Sequence, residues 1–139
     1  MATFTVTTAA DLTDAGDGVL SLREAVQQAN STAAADTILF ALSLEGETLT
    51  LMGGELTANA DLLVDGDRDN NGVEVTIDGN ENDRILSIAG GGTDVALSDL
   101  IITGGYAGAE ENGGGILAGA STGLTLAGCT VNGNRAGYG

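Results

Sequence analysis

Two hydrophobic rhythms divide the chain. Between Ser21 and Asn30 the apolar residues Leu22, Ala25, Val26 and Ala29 recur at i, i+3, i+4 and i+7, which predicts an amphipathic helix with one face built for burial. Its start is marked by Ser21 at the N-cap and Glu24 three residues later. That spacing lets the two side chains satisfy each other's unpaired amides in a capping box, and the Ser21 cap contributes about 1 kcal/mol. Arg23, Gln27 and Gln28 fill the opposite face, and Asn30-Ser31 ends the helix. Ahead of it, Phe4 to Thr8 alternates apolar and polar, with Phe4 and Val6 on one side, as a short strand does. An acidic turn, Asp11 to Gly18, joins the two.

From Thr37 onward the rhythm changes to strand-length apolar segments separated by Gly, Asn and Asp: Thr37-Leu42, Thr48-Leu51, Leu62-Val64, Val73-Ile77, Arg84-Ile88, Val95-Ile102, Gly115-Ala118 and Leu124-Val131. Two of them repeat. Val95, Leu97, Leu100, Ile102 and Gly104 correspond to Leu124, Leu126, Cys129, Val131 and Gly133, each displaced by 29 positions. Inside each repeat the apolar spacing runs +2, +3, +2, so a straight strand would turn one residue to the wrong face. A bend at Ser98-Asp99 and at Ala127-Gly128 absorbs the extra residue, because Asp and Gly enter left-handed backbone conformations cheaply. Cys129 then occupies the inward column of Leu100 and reads as a small core residue. Ile85-Leu86, 31 residues before Ile116-Leu117, is expected to build a further wall, with coil length varying through loops such as Gly105 to Gly113.

This strand-bend-strand unit predicts an all-β fold, a right-handed parallel β-helix with an N-terminal strand and an amphipathic capping helix. The cap is expected over residues 1–45 and the first coils over 46–139, truncated at the C-terminal end where the chain stops directly after a repeat. A stack of coils presents unpaired peptide groups and an apolar cross-section at its ends, so a terminal cap is required. Ser21, Leu22, Arg23, Glu24, Ala25 and Val26 are the residues expected to form it. Phe4-Thr5-Val6-Thr7-Thr8, the Asp17-Gly18 turn, Leu20-Ser21-Leu22-Arg23-Glu24-Ala25-Val26, Ala29-Asn30 and Ala35-Asp36-Thr37-Ile38-Leu39-Phe40 together resemble the CSLREA domain. The resemblance implies an N-terminal module placed ahead of parallel β-helix repeats in large exported bacterial proteins. The later segments are similar to the pectin-lyase-like β-helix superfamily, which implies a fold and no particular activity. Leu20 stands where the name-giving CSLREA motif has cysteine, so a thiol property of that position is absent.

Composition narrows the functional classes. Aromatic residues make up 3% of the chain, glycine occurs 23 times and proline is absent, which suits a thin aliphatic core between tight turns. Twenty acidic residues against four arginines leave a net charge of -16, which repels nucleic acid phosphates and anionic lipid. No apolar run reaches the roughly 18 residues that span a bilayer, and the first residues hold no signal-peptide core. An exported parent is therefore expected to carry its leader outside this segment.

The most specific local pattern is Asp65-Gly66-Asp67-Arg68-Asp69-Asn70-Asn71-Gly72. Counted from Asp67, it places Asp67, Asp69, Asn71, Val73 and Asp78 at positions 1, 3, 5, 7 and 12 of a calcium loop, with Gly72 at position 6. Alternating oxygen donors suit Ca2+, which takes six to eight hard oxygens, and the affinity expected of such an extracellular module is about 10⁻⁴ to 10⁻³ M. The competing reading is a polar Asx-rich turn. Asp11/Asp14/Asp17, Asp78/Glu81/Asp83 and Glu110/Glu111 are expected to be solvated loops. With no histidine and no lysine, Ser-His-Asp, Cys-His and lysine-base chemistry are excluded within this chain. The expectation is a non-enzymatic capping and scaffold region of an exported bacterial surface protein or adhesin, extracellular or on the cell surface. Its expected partners are the rest of its parent chain, a carbohydrate or another surface protein. Two alternatives remain: the N-terminal part of a carbohydrate-active β-helix enzyme, and a module that self-associates end to end.

Overall fold

The computed structural model describes residues 1–109 and 111–137. It is a parallel β-helix of three walls, every strand pairing being parallel. The first wall stacks β1 (Thr3–Val6), β2 (Asp36–Phe40), β5 (Leu62–Asp65), β8 (Asp94–Ser98) and β11 (Gly123–Ala127). The second stacks β3 (Thr48–Thr50), β6 (Val75–Asp78), β9 (Leu100–Thr103) and β12 (Thr130–Val131). The third stacks β4 (Leu56–Ala58), β7 (Leu86–Ile88) and β10 (Ile116–Ala118). Each coil thus supplies one strand to each wall: β2-β3-β4, β5-β6-β7 and β8-β9-β10, with β11 and β12 opening a fourth. The single α-helix among the described residues, α1 (Leu22–Ala29), packs on β1, β2 and β4 at the N-terminal end.

The period-two alternation of the strands becomes a set of inward columns. Phe4, Ile38, Val64, Leu97 and Leu126 are successive partners up the first wall. Leu49, Ile77, Ile102 and Val131 ascend the second, and Leu56, Leu86 and Ile116 the third. Aliphatic side chains of similar size stack at the strand spacing, and Ile38, Ile85, Ile88, Leu100 and Ile102 are almost wholly buried. Among the described residues Phe40, in β2, is the one aromatic ring that is fully buried.

The 29-residue displacement is realised: Leu124 pairs with Val95, Leu126 with Leu97 and Val131 with Ile102. The bend is realised as well, since Asp99 and Gly128 have φ of 51° and 65° between their paired half-strands. Gly66 lies at the same corner one coil below, where a Cβ would strike the Asp99 carbonyl. Three details differ from the sequence reading. The third-wall register is Ile116 on Leu86, a displacement of 30 and not 31, because the pleat must keep Leu86 and Ile116 on one face. β4 is absent from the sequence pattern, its three residues being too short to show a period. β2, on the cap side of the expected 45/46 boundary, also pairs with β5 and forms the first rung of coil one.

Coil length is not constant, and two corners vary: from the second wall to the third, Leu49 precedes Leu56 by 7 residues, Ile77 precedes Leu86 by 9 and Ile102 precedes Ile116 by 14, as expected of the Gly105 to Gly113 loop. Between the first and second walls, Leu97 precedes Ile102 by 5 residues, whereas Val64 precedes Ile77 by 13 and Ile38 precedes Leu49 by 11. The lower two coils therefore carry loops, 66–74 and 41–47, stacked at the same edge of the column.

Leu62 and Leu63 are neighbours on β5 that face opposite ways, 4% and 39% exposed. Leu62→Ala is expected to lower unfolding free energy by about 2–5 kcal/mol, and Leu63→Ala by about 1 kcal/mol or less. Urea denaturation of the two variants checks the strand phase; equal losses would contradict it.

Candidate functional site

The cap closes through polar side chains that take the place of a missing strand. Ser21 has extended backbone, its Oγ accepts from the Glu24 amide at 3.1 Å, and Glu24 Oε1 accepts from the Ser21 amide at 2.9 Å. This is the capping box read from the sequence. Two further bonds extend it into the acidic turn, where Ser21 Oγ donates to the Leu12 carbonyl at 2.6 Å and Glu24 Oε2 accepts from the Asp14 amide at 3.1 Å. Leu22, Ala25, Val26 and Ala29 are at most 3% exposed, so the predicted apolar stripe covers the bottom of the column.

Arg23, on the polar face of α1, joins the cap as expected of it. Its guanidinium donates from Nε and Nη2 to the two oxygens of Asp11 at 2.8 and 3.0 Å, a bidentate pair. Nη2 also donates to the Gly54 carbonyl at 2.6 Å, and Nη1 to that of Glu55 at 3.3 Å. Asp11 Oδ2 in turn accepts from the Met52 and Gly53 amides at 2.7 and 2.8 Å. Asn30 does the same for β4: its amide donates to the Thr57 carbonyl at 2.8 Å and its oxygen accepts from the Asn59 amide at 3.0 Å. Asp11, Arg23 and Asn30 thereby satisfy peptide groups along the lower rim of coil one, from Met52 to Asn59. The expectation that Asp11 is solvated is corrected, because its side chain is 3% exposed. No local motif distinguishes it from Asp14 and Asp17, whose carboxylates close Asx turns on Gly16 and Val19.

Asp36 pins β1 to β2, accepting from the Ala2 amide at 2.7 Å and from the Thr32 hydroxyl. All three carboxyls are held below their ordinary range. At Asp11 burial opposes ionisation, and the Arg23 guanidinium with the Gly53 and Met52 amides outweighs it. At Glu24 the leading cause is the Ser21 amide, and at Asp36 the Thr32 hydroxyl followed by the Ala2 amide.

The acidic corner lies in the 66–74 loop. Asp67 is 5% exposed, and its two oxygens accept from the Asn71 and Gly72 amides at 3.0 and 2.8 Å. Asp69 accepts from the Asn71 amide at 3.2 Å, and Asn71 Oδ1 accepts from the Val73 amide at 2.8 Å. Carboxylate oxygens of Asp67 and Asp69 come together with one of Glu45, from the 41–47 loop one coil below, all within 4.8 Å of one another. Asn71 Nδ2 donates to Glu45 at 2.8 Å, and Glu45 Oε1 is buried without a hydrogen-bond partner among the described residues. Glu45 lies 22 residues before Asp67, outside any linear motif, and only coil stacking brings it in. Asp78 does not join the cluster: it ends β6 at the far corner, where Oδ1 accepts from the Asn80 amide at 2.8 Å. A twelve-residue calcium loop depends on a return of the chain that an extended strand from Val75 to Asp78 cannot make, and Val73 contributes an exposed side chain with its amide turned to Asn71.

Elsewhere, Arg84 braces the third-wall loop by donating to the Asn112 carbonyl at 2.9 Å and by pairing with Glu55 and Glu111, each at 3.4 Å. Glu110 lies outside the described residues. No described helix is long and apolar enough to cross a membrane.

Carboxyls with lowered folded-state pKa contribute stability that is fully present above their unfolded pKa and lost as pH falls through the folded value. Urea midpoints measured at about 0.15 M salt, where longer-range charge repulsion is screened, are expected to hold near neutrality and to fall below about pH 4. Asp11→Asn is expected to cost about 3 kcal/mol at neutral pH, the lower end of the range for breaking a buried pair, and to show a shallower acid loss. Wild-type stability in this variant would remove the seam from the energetics.

No family model, curated protein sequence or solved structure matches the chain.

Proposed function

We propose that the chain is the structural capping and scaffold region of a large exported bacterial surface protein or adhesin, working outside the cell or on its surface. One observation carries the reading. The side chains of Asp11, Arg23 and Asn30 occupy peptide groups at the rim of coil one, while Leu22, Ala25, Val26 and Ala29 cover its cross-section. A β-stack closed in this way cannot add a strand to its third wall at that end. Residues 4–40, with their likeness to the CSLREA domain, support the exported setting. The acidic surface suits a rigid spacer that displays regions for carbohydrate or protein contact without associating through its flanks.

Opening the cap tests this. Leu22→Ser with Val26→Ser is expected to release α1 and let the column grow from its N-terminal end into long assemblies, followed by light scattering. Arg23→Gln, which keeps the apolar stripe, is expected to give slower growth of the same kind. Variants that keep their β-sheet circular dichroism and the particle size of the wild type would sink the capping role.

The orphaned Glu45 Oε1 beside Asp67 and Asp69 favours a second, additional reading, in which this corner takes a Ca2+ ion. The donors are then Glu45, Asp67 and Asp69, with Asn71 reoriented, and the ion ties the 41–47 and 66–74 loops together. Calorimetric titration with Ca2+ is expected to give a dissociation constant of about 10⁻⁴ to 10⁻³ M, abolished in Glu45→Gln with Asp67→Asn. An absence of both heat and Ca2+-dependent thermal stabilisation would leave these residues as a turn.

A further inference from the structure

The outer face of the first wall holds a groove of about 310 Å3, away from the α1 stripe and from the acidic corner. Its floor is the outward column that the strand alternation produces. Thr37 of β2, Leu63 of β5, Ala96 of β8 and Thr125 of β11 are successive register partners, so methyl and short aliphatic groups follow one another at the strand spacing of about 4.8 Å. Leu63 is the largest of the four and is 39% exposed.

Two exposed carboxylates stand along one edge of this floor. Asp61 and Asp94 immediately precede the paired residues Leu62 and Val95, which places them on successive rungs, and both line the groove. Asp61 Oδ1 accepts from the Asp94 amide at 2.8 Å, which fixes the lower carboxylate across the rung. One rung above Asp94 stands Gly123, where a Cβ would strike Asp94 Oδ1, so that position stays bare for the upper carboxylate to keep its place. Neither acid has a base beside it among the described residues. The strands of the first wall carry no arginine, while Arg23 pairs with Asp11, Arg84 with Glu55 and Glu111, and Arg135 stacks on the Tyr106 ring.

Like charges on neighbouring strands repel, and a cation placed between them relieves the repulsion. The apolar floor decides which cation gains most. A metal ion draws on oxygen ligands and takes nothing from Leu63 or Ala96. A lysine side chain uses both parts of the groove, because its four-carbon stem lies on apolar surface while its ammonium, with three donors, reaches the carboxylates. Charge over the whole molecule favours the same partner, with twenty acids against four arginines. We infer that this groove is a docking site for an extended, lysine-bearing peptide segment of a partner protein, with one lysine stem along the column from Thr37 to Thr125 and its ammonium shared by Asp61 and Asp94. A second copy of these 139 residues does not supply that group, since they contain no lysine. The contact goes beyond the scaffold role and depends on neither the cap nor the acidic corner.

The probe is a blocked five-residue peptide alternating lysine and leucine, titrated in about 0.15 M salt so that long-range attraction is screened, and followed by calorimetry and amide chemical shifts. Saturable binding is expected, with the shifts gathered at Leu63, Ala96 and their neighbours on the first wall. Asp61→Asn with Asp94→Asn keeps an acceptor for the Asp94 amide and is expected to weaken binding about 10-fold. Asp14→Asn with Asp17→Asn removes the same charge from the acidic turn and is expected to bind like the wild type. Leu63→Ala, which leaves every charge in place, is expected to weaken binding about 3-fold. The same peptide with norleucine for lysine is expected not to bind. Equal weakening by the two double substitutions would mean attraction to net charge alone and overturn the groove. Shifts spread over the whole surface, binding of the norleucine peptide, or no binding at millimolar peptide would overturn it too. Spermidine bound as tightly as the peptide would overturn the peptide as occupant in favour of a free polyamine.

Discussion

A parallel β-stack satisfies the backbone of every coil with the coils above and below it, so each interior rung depends on neighbours and no rung can be complete at an end. That constraint organises this molecule. Its walls are held by parallel ladders whose inward residues are aliphatic and of similar size, and the contact of Ile38 with Val64 and of Val64 with Leu97 is repeated in kind rather than varied. With Phe40 the one fully buried ring among the described residues, stability is spread over many small side chains. A defect in one rung is felt by the two beside it, as expected of a quasi-one-dimensional architecture.

At the N-terminal end the chain meets the constraint by substitution. A carboxylate at Asp11 takes the place of carbonyls, a guanidinium at Arg23 the place of amides, and the carboxamide of Asn30, a peptide group in miniature, bonds β4 with both its donor and its acceptor. The helix that carries Arg23 is itself fixed by the capping box. Ser21 and Glu24 therefore act at a distance: by setting where α1 begins, they set where Arg23 meets Asp11 and the Gly54 carbonyl. The acidic turn is drawn into the same network through the Asp14 amide and the Leu12 carbonyl, which accounts for an ordered path in a segment of such low hydrophobicity.

Much of this was legible in the sequence because it is local or periodic. The helix stripe and its box lie within ten residues, and the 29-residue displacement survives in the two coils whose corner is a single bent residue, Asp99 or Gly128. Legibility failed where the third dimension decides. The loops 41–47 and 66–74 break the displacement, so the lower coils show no repeat although their columns are the same. Asp11 looks like its neighbours Asp14 and Asp17 and differs only in having Arg23 and the Met52–Gly53 amides brought to it. Glu45 has no motif at all. The calcium-loop spacing pointed to Asp67 and Asp69 but also to Asp78, since counting positions assumes a curling chain and β6 runs straight.

Corner length decides where side chains can gather. The third coil has room at its first corner for one residue, and the residue there must enter the left-handed region, so Asp and Gly serve and no side-chain cluster can form. The lower coils, with eight and six more residues at that corner, have room for carboxylates to gather across loops from successive turns. Moving along the column from the cap, the first corner shortens in the third coil while the second lengthens, and past Glu111 the acids disappear. Charge is gathered in the coils between the cap and Glu111, where the long first corners of the lower two coils let carboxylates of Glu45, Asp67 and Asp69 meet.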